Sequence, residues 1–359
     1  MALSLNQNGE IVDTSSFKRF DVVSDHSDHF YTNSSKKEKL DGSLHKPIMK
    51  EWRILEKNLP DSIYVRVYET RIDLLRAVIV GAAGTPYHDA LFFFDISFPS
   101  GYPTRPPNVH YRSYGLRLNP NLYQSGYVCL SLLNTWLGKK REKWDPSQST
   151  ILQVLLSIQA LVLNEKPYFN EPGTGSPGGS TAERRSRAYN EDAFVQTSKT
   201  TLYSLRKPPK NFEAFTGEHF RRRGSVILRA CSAYANGRVG IGYYREGKEI
   251  ESCSSCNSNS VSKKFKASMQ ELYPQLVQAF KKNGTCFGDL VEHLELETTT
   301  ATTTTTPFKV RVYKKPKIGI TKKVIGKLGK LFGLNKKKKN KSTKTTDLNA
   351  GVPVVALGC

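Results

Sequence analysis

Cys129 is the residue whose type and surroundings are best suited to covalent chemistry. It lies in the run Gly126-Tyr-Val-Cys-Leu130, and Asn121 lies eight residues before it. A thiolate is a strong nucleophile and a good leaving group from a thioester, so Cys129 could accept an acyl group and pass it to an amine. The amide of Asn121 could stabilise the oxyanion formed by amine attack, or it could hold the surrounding loop in place. No His or Asp adjoins Cys129 to activate water, so hydrolysis is expected to stay slow.

The other cysteines do not form a recognisable second site. The sequence has six cysteines in 359 residues, at positions 129, 231, 253, 256, 286 and 359. This density is too low for a disulfide-stabilised scaffold, so free thiols are expected. Cys253 and Cys256 have the spacing of half a zinc site, but zinc needs two more ligands and the sequence has no second pair of this spacing. We therefore predict neither a metal nor an organic cofactor.

The elements that must position Cys129 are mixed helices and strands. Apolar residues recur at helical spacing from Lys46 to Leu59, and Pro60 ends that predicted helix. Strand-like runs rich in branched and aromatic residues follow over 62–68, 74–80 and 90–98, before a proline-rich loop over 99–107. Two more helices are predicted over 150–163 and 182–205, the second with Thr181 as its cap. The pattern predicts an α+β fold with an antiparallel meander.

Composition divides the chain into five predicted parts. Residues 1–43 are polar and aperiodic, which favours disorder. A catalytic core is predicted over 44–206 and a helical extension over 207–296. A Thr-rich linker over 297–307 and a basic tail over 308–359 follow. The net charge of +22 resides mostly in this tail, which holds fifteen Lys and Arg against one acid. The charge therefore says little about the folded part.

The basic tail is open to three interpretations. The run Lys336-Lys-Lys-Lys-Asn-Lys341 could be a nuclear localisation signal that binds import factors. Apolar residues from Val324 to Phe332 recur at helical spacing among lysines, which could form a helix on an anionic membrane surface. The third interpretation is a solvated tail. No apolar secretory core or membrane-spanning run is present, so a cytoplasmic or nuclear location is expected, with membrane-surface association through the tail as an option.

The stretch Leu118-Asn-Pro-Asn-Leu-Tyr-Gln-Ser-Gly-Tyr-Val-Cys-Leu130 resembles the active-site signature of ubiquitin-conjugating enzymes, in which a His-Pro-Asn tripeptide precedes the cysteine. Further motifs of that family follow the same order along the chain. These are Gly81-x-x-Gly-Thr-Pro-Tyr87, Phe98-Pro-x-x-Tyr-Pro-x-x-Pro-Pro107, Trp144 and the helix at Val154–Ile158. The resemblance implies an N-terminal helix, a four-stranded antiparallel meander and C-terminal helices.

Three features are similar to a subgroup, the large plant enzymes of the phosphate-homeostasis type and the animal conjugating/ligase hybrid type. They are Asn119 in place of the family's His, the insertion from Leu132 to Trp144, and the run from Lys207 to Phe215. The family His is mainly structural, so activity is expected to survive the change to Asn119.

The resemblance implies that Cys129 takes ubiquitin from an activating enzyme and passes it to substrate lysines. Glu171 occupies the position of a family aspartate that helps to deprotonate the incoming lysine. Thr104 replaces an aromatic residue with which the family docks ligases, and the loop Asp145–Thr150 is longer than usual. A ligase partner is therefore optional, and ligase-like substrate selection by the chain itself is expected.

Two other functional classes remain open from the sequence alone. The first is an inactive ubiquitin-binding scaffold, although inactive relatives typically lack the cysteine. The second is a nucleic-acid-binding protein that acts through its basic tail, although the folded part has no recognisable nucleic-acid motif.

Overall fold

The β-strands of the described residues form two sheets. A small antiparallel sheet pairs β1 (Leu3–Leu5) with β2 (Ile11–Asp13). The main sheet has five strands in the order β3-β4-β5-β6-β7. Its strands are β3 (Phe20–Val23), β4 (Ile63–Tyr68), β5 (Leu74–Val80), β6 (Leu91–Ser97) and β7 (Asn108–Tyr111). From β4 to β7 the pairing is antiparallel, whereas β3 runs parallel to β4.

The computed structural model describes residues 3–5, 11–13, 17–33, 42–136, 138–174, 178–246 and 261–287. These residues belong to one unit, Met1–Thr300, and a second unit comprises Ala301–Cys359. The predicted linker and basic tail, together with Cys253 and Cys256, lie outside the described residues. The proposed binding of the tail to import factors, nucleic acid or a membrane therefore stays a prediction.

Five α-helices surround the main sheet in the described ranges. They are α1 (His45–Asn58), α2 (Ile151–Ser157), α3 (Ser180–Arg206), α4 (Glu213–Ala235) and α5 (Lys263–Lys282). Thr150 caps α2, because its hydroxyl accepts a hydrogen bond from the backbone of Gln153. The helix predicted over 150–163 is α-helical only to Ser157, and a wider π turn continues it over Ile158–Val162. The long third helix begins at Ser180 rather than after Thr181, and its cap residue Gly179 provides no side-chain hydrogen bond.

Both faces of the main sheet are buried, which explains why its strands read as nearly continuous apolar runs. Successive side chains of a strand point to opposite faces. On one face Val65, Ala77 and Phe94 pack in the core that contains Leu155 of α2. On the other face Val78 and Phe93 pack with side chains of α3, α4 and α5, among them Phe194, Phe220 and Leu276.

The helical extension is therefore packed on the outer face of the sheet. Helix α4 is also bound to the loop before β6. The Nε of Arg223 donates to the carboxylate of Asp89 at 2.8 Å, and the Nε2 of His219 donates to the backbone carbonyl of Asp89 at 2.8 Å. The hydroxyl of Tyr234 lies 3.0 Å from the Nε2 of His88. The boundary predicted at residues 206 and 207 stays a prediction.

A buried carboxyl group of α1 joins the first helix to the region after the active site. Glu51 accepts a hydrogen bond from the hydroxyl of Tyr102 at 2.7 Å and another from the backbone N–H of Ile151 at 2.9 Å. Burial raises the pKa of Glu51. The indole Nε1 of Trp144 donates to the carbonyl of Pro103 at 2.6 Å. These contacts fix the proline-rich loop against the start of α2.

The prediction of disorder over residues 1–43 is wrong for its central part. Residues 17–33 are described, and β3 within them adds a fifth strand to the predicted four. The physical reason is a buried ion-pair network that polar composition cannot reveal. Arg76, which is fully buried, binds Asp28 of this segment at 2.6 Å and Asp95 of β6 at 2.6 Å.

No helix in the described ranges combines the length and the apolar character needed to cross a bilayer.

Candidate active site

Cys129 lies in a loop that folds back on itself after β7. Its backbone N–H donates to the carbonyl of Asn121 at 2.9 Å, and an isolated antiparallel bridge pairs Leu122 with Val128. Gly126 has a φ of 86°, and a Cβ there would approach the ring of His110 to 2.0 Å. Only glycine fits this position, so the Gly126 of the sequence motif is a requirement of the loop's shape.

The insertion that follows the cysteine holds the other side of the loop. The hydroxyl of Thr135 donates to the carbonyl of Val128 at 2.8 Å and accepts from the N–H of Leu130 at 2.9 Å. The two residues that flank Cys129 in sequence are thus both bound to one side chain. The backbone at the thiol is fixed by hydrogen bonds on both sides.

Asn121 contacts the backbone of the cysteine. Its Nδ2 donates to the carbonyl of Cys129 at 3.0 Å. Its Oδ1 is buried and has no hydrogen-bond partner among the described residues. Of the two roles predicted for this amide, the resting geometry corresponds to holding the loop.

Asn119 forms the base of the loop and is fully buried. Its Oδ1 accepts from the N–H of Asn121 at 2.8 Å. Its Nδ2 donates to the hydroxyl of Tyr87 at 2.8 Å and to the carbonyl of Val162 at 2.7 Å. The residue that replaces the family's His is thus a structural link between the active-site loop, the loop before β6 and the π turn after α2.

Three neighbours and its own burial set the acidity of the Cys129 thiol. Burial is the largest effect and raises the pKa, and the negative charge of Glu171 raises it further. A hydrogen bond with the hydroxyl of Tyr123 and the positive charge of Arg117 lower it. The balance is a thiol whose pKa lies above its ordinary value. At neutral pH the resting group is mostly the protonated thiol.

The sequence left Tyr123 open between lining the site and packing in the core, and it did not assign Arg117 to the site. The guanidinium carbon of Arg117 lies 4.7 Å from the centre of the Tyr123 ring, a cation–π contact. The negative charge of the thiolate raises the pKa of Tyr123. Tyr123 follows Asn121 by two residues, and Arg117 interrupts the apolar pair Leu116 and Leu118. A charged residue between apolar ones was the signal available for Arg117.

Glu171 follows a short 3-10 helix, Pro167–Asn170, and its side chain is exposed. The hydroxyl of Thr174 donates to its carbonyl at 2.8 Å. Its negative charge raises the pKa of both Cys129 and Tyr123. Glu171 also lines a cavity of about 420 Å³ that reaches Pro120. The three predicted site residues therefore lie in one region, and their catalytic roles stay predictions.

Comparison with known proteins identifies the family. The family model described as ubiquitin-conjugating enzyme matches residues 47–195. Ubiquitin-conjugating enzyme E2 38 of Arabidopsis thaliana is 51% identical over 272 residues, which are 75% of this chain and 82% of that protein. This chain belongs to the ubiquitin-conjugating enzyme family. Both the family and the α+β fold predicted from the sequence are confirmed.

Relatives of the predicted subgroup are present in plants and animals. Ubiquitin-conjugating enzyme E2 25 of Arabidopsis thaliana is 57% identical over 235 residues, 64% of this chain and 38% of that protein. The human dual E2 ubiquitin-conjugating enzyme/E3 ubiquitin-protein ligase BIRC6 is 41% identical over 181 residues, 48% of this chain and 4% of that protein. The chain spans 26 to 49% of the length of E2 25 and two other plant relatives.

Proposed function

We propose that this chain accepts ubiquitin as a thioester on Cys129 and transfers it to lysines of substrate proteins. The observation that carries the proposal is the thiol itself, hydrogen-bonded to Tyr123 with Arg117 and Glu171 beside it on a loop fixed at both flanks. In the first step the thiolate of Cys129 attacks the carbonyl of a ubiquitin thioester on an activating enzyme. The thiolate of the activating enzyme leaves, and ubiquitin is bound to Cys129.

The second step moves ubiquitin to an amine. The substrate lysine loses a proton, and its neutral nitrogen attacks the thioester carbonyl. The tetrahedral intermediate loses the second proton from this nitrogen and expels the Cys129 thiolate, which leaves an amide. The thiolate then takes up a proton to restore the resting thiol. Glu171 is the proposed residue whose carboxylate attracts the lysine ammonium and takes part in its deprotonation. The amide of Asn121 is the proposed donor to the oxyanion, which requires it to leave the carbonyl of Cys129; otherwise it serves by holding the loop.

The raised pKa of Cys129 suits an intermediate that must persist. A thiol of higher pKa is a poorer leaving group, which slows attack by weak nucleophiles such as water. Its thiolate is also the more nucleophilic once formed. The transfer rate then depends on a well-placed amine rather than on an activated thioester.

Substrate selection by the chain itself is the finer part of the proposal. Thr104 stands in the proline-rich loop at the position where an aromatic ligase contact was expected, and it is exposed. The human relative carries both conjugating-enzyme and ligase activities in its name. We expect substrate transfer in the absence of an added ligase.

A charging assay tests the proposal. The protein is incubated with activating enzyme, ATP and ubiquitin, and products are separated without reductant. A thiol-sensitive adduct is expected on wild type and on Cys286→Ser, whose cysteine is exposed and remote in sequence. Cys129→Ser is expected to form a thiol-resistant ester or no adduct. No adduct on wild type, or an adduct that survives in Cys129→Ser as a thioester, would refute the assignment.

A further inference from the structure

A cavity of about 420 Å³ lies between the active-site loop and the helical extension. One wall is the loop itself, with Leu118 and Pro120. Glu171 and helix α3, with Tyr189 and Gln196, form the others, and Lys264 of α5 also lines the cavity. This volume falls within the range of ligand pockets, so the cavity can hold a short peptide segment rather than a single methylene chain.

The wall of the cavity contains a buried hydrogen-bond acceptor that no described residue uses. The side-chain Oε1 of Gln196 is inaccessible to solvent and has no hydrogen-bond partner in the described part of the chain. Buried polar atoms normally have partners. Gln196 lines the cavity, and a rotation of its side chain toward the cavity would let a peptide N–H donate to this oxygen, which favours a peptide ligand over a purely apolar one.

The charges around the cavity define the ligand further. Four charged side chains line it, two positive and two negative: Arg117, Lys264, Glu171 and Asp192. Lys264 and Asp192 form an ion pair at 2.6 Å, and Arg117 stacks on Tyr123. If the ammonium of an acceptor lysine pairs with Glu171, the other three groups carry a net charge of +1. The complementary ligand then has an acidic residue near its lysine.

We propose that this cavity binds the substrate segment around the acceptor lysine, and that Arg117 and Lys264 favour an acidic residue in that segment. The extension thereby contributes through α5 to substrate choice. The identity of the ligand as an acceptor segment rests on the proposed function, whereas the cavity's charge preference can be measured without catalysis.

The test uses short fluorescent peptides with one central lysine. The peptides are identical except that the flanking residues are aspartate, asparagine or arginine. Fluorescence anisotropy measures their binding to the full chain that carries no ubiquitin. Wild type is expected to bind the aspartate peptide about two- to fivefold more tightly than the arginine peptide, which is the size of effect that partly exposed charges produce. Higher salt should reduce the difference.

Two charge reversals on the same helix provide the matched comparison. Lys264→Glu changes the charge of the cavity, whereas Lys266→Glu changes the chain's charge equally at an exposed position that does not line the cavity. Lys264→Glu should reverse the order of the aspartate and arginine peptides, and Lys266→Glu should preserve it. Gln196→Leu should weaken binding of all three peptides alike without lowering the melting temperature, because the buried oxygen that it removes has no partner among the residues that the structure describes.

The outcomes separate the two proposals. Equal shifts in both charge-reversal variants, or no preference in wild type, would overturn the cavity assignment even if Cys129 forms a thioester. If only Lys264→Glu reverses the preference for the aspartate peptide, the cavity assignment is supported even if the charging assay fails. When charging succeeds, single-turnover transfer to the same peptides should follow the order of binding, and transfer that ignores flanking charge would contradict the role in substrate choice.

Discussion

The side-chain nitrogen of Asn119 donates a hydrogen bond of 2.7 Å to the carbonyl of Val162 in the π turn after α2. The same nitrogen donates to Tyr87, and the side-chain oxygen receives the N–H of Asn121. A single buried amide thus connects the loop that carries Cys129 to Tyr87 and to the π turn. A carboxylate of the same shape could accept but could not donate.

Asn119→Asp is therefore expected to destabilise the protein. The substitution removes the donor to Val162 and places a second acceptor against that carbonyl, at an expected cost of about 1–3 kcal/mol in the free energy of unfolding. Urea denaturation measures this loss. Asn58→Asp is the control, because it changes the charge identically at an exposed side chain that bonds only within α1. Equal losses in the two variants would contradict a supporting role for Asn119.

Tyr123→Phe is expected to make the thiol of Cys129 less acidic. The hydroxyl of Tyr123 lowers the pKa of Cys129, so its removal reduces the thiolate fraction at a given pH. Alkylation of Cys129 by iodoacetamide, followed by peptide mass spectrometry, should slow by about two- to tenfold, in keeping with the strength of one hydrogen bond. The control is Tyr127→Phe, since Tyr127 is 49% exposed. A faster reaction in Tyr123→Phe would show that the hydroxyl does not stabilise the thiolate.

Removal of the charges at Arg117 and Glu171 is expected to have opposite effects. Arg117 lowers the pKa of Cys129 and Glu171 raises it. At a fixed pH below the pKa, Arg117→Gln should slow alkylation and Glu171→Gln should accelerate it, each by about two- to fivefold. Both effects should shrink at high salt, because both side chains are exposed.

The transfer step distinguishes Glu171 from a purely electrostatic neighbour. Glu171→Gln should form the thioester at least as fast as wild type but should transfer ubiquitin to free lysine more slowly. Single-turnover discharge measures the second rate. If thioester formation and discharge change together, Glu171 acts through the thiol and not on the lysine.

Local sequence patterns were sufficient for the helices and strands with strong periodicity. The helix predicted over Lys46–Leu59 is present as His45–Asn58, and the runs at 62–68, 74–80 and 90–98 are strands within one or two residues. The side chain of Asn121, eight residues before Cys129 in the motif, contacts the backbone of the cysteine. These features depend on neighbours in sequence, so the sequence contains the necessary information.

Contacts between distant residues could not be predicted in the same way. Arg76 and Asp28 are 48 residues apart, and nothing in the polar composition of residues 17–33 indicates that a buried guanidinium binds them. Arg117 is a charged residue within an apolar pair, and its stacking on Tyr123 depends on how the loop folds. The extension's place on the outer sheet face is equally a matter of tertiary packing.

The network around Arg76 predicts how stability depends on pH. Asp28 and Asp95 have pKa values below the ordinary 3.8, with Arg76 as the main lowering charge against the opposing effect of burial. Burial lowers the pKa of His29 below 6.5. In each case the unfolded chain takes up a proton at a higher pH than the folded chain does. Stability should therefore decline as the pH falls below about 6.5 because of His29, and further below about 4 because of the two carboxyl groups.

Arg76→Met tests the network by reversing part of that dependence. Without the guanidinium, Asp95 is a buried carboxylate that lacks its principal cation, and the free energy of unfolding should fall by about 3–5 kcal/mol at neutral pH. Burial would then raise the pKa of Asp95 above its ordinary value, so part of the lost stability should return as the pH falls and the carboxyl is protonated. Arg112→Met, which removes only a 3.0 Å contact with Asp28, should cost less and keep the wild-type sign. Denaturant titrations at a series of pH values measure the free energy of unfolding of both variants. If the stability of Arg76→Met falls on acidification as steeply as that of wild type, Arg76 does not hold these carboxyl groups ionised.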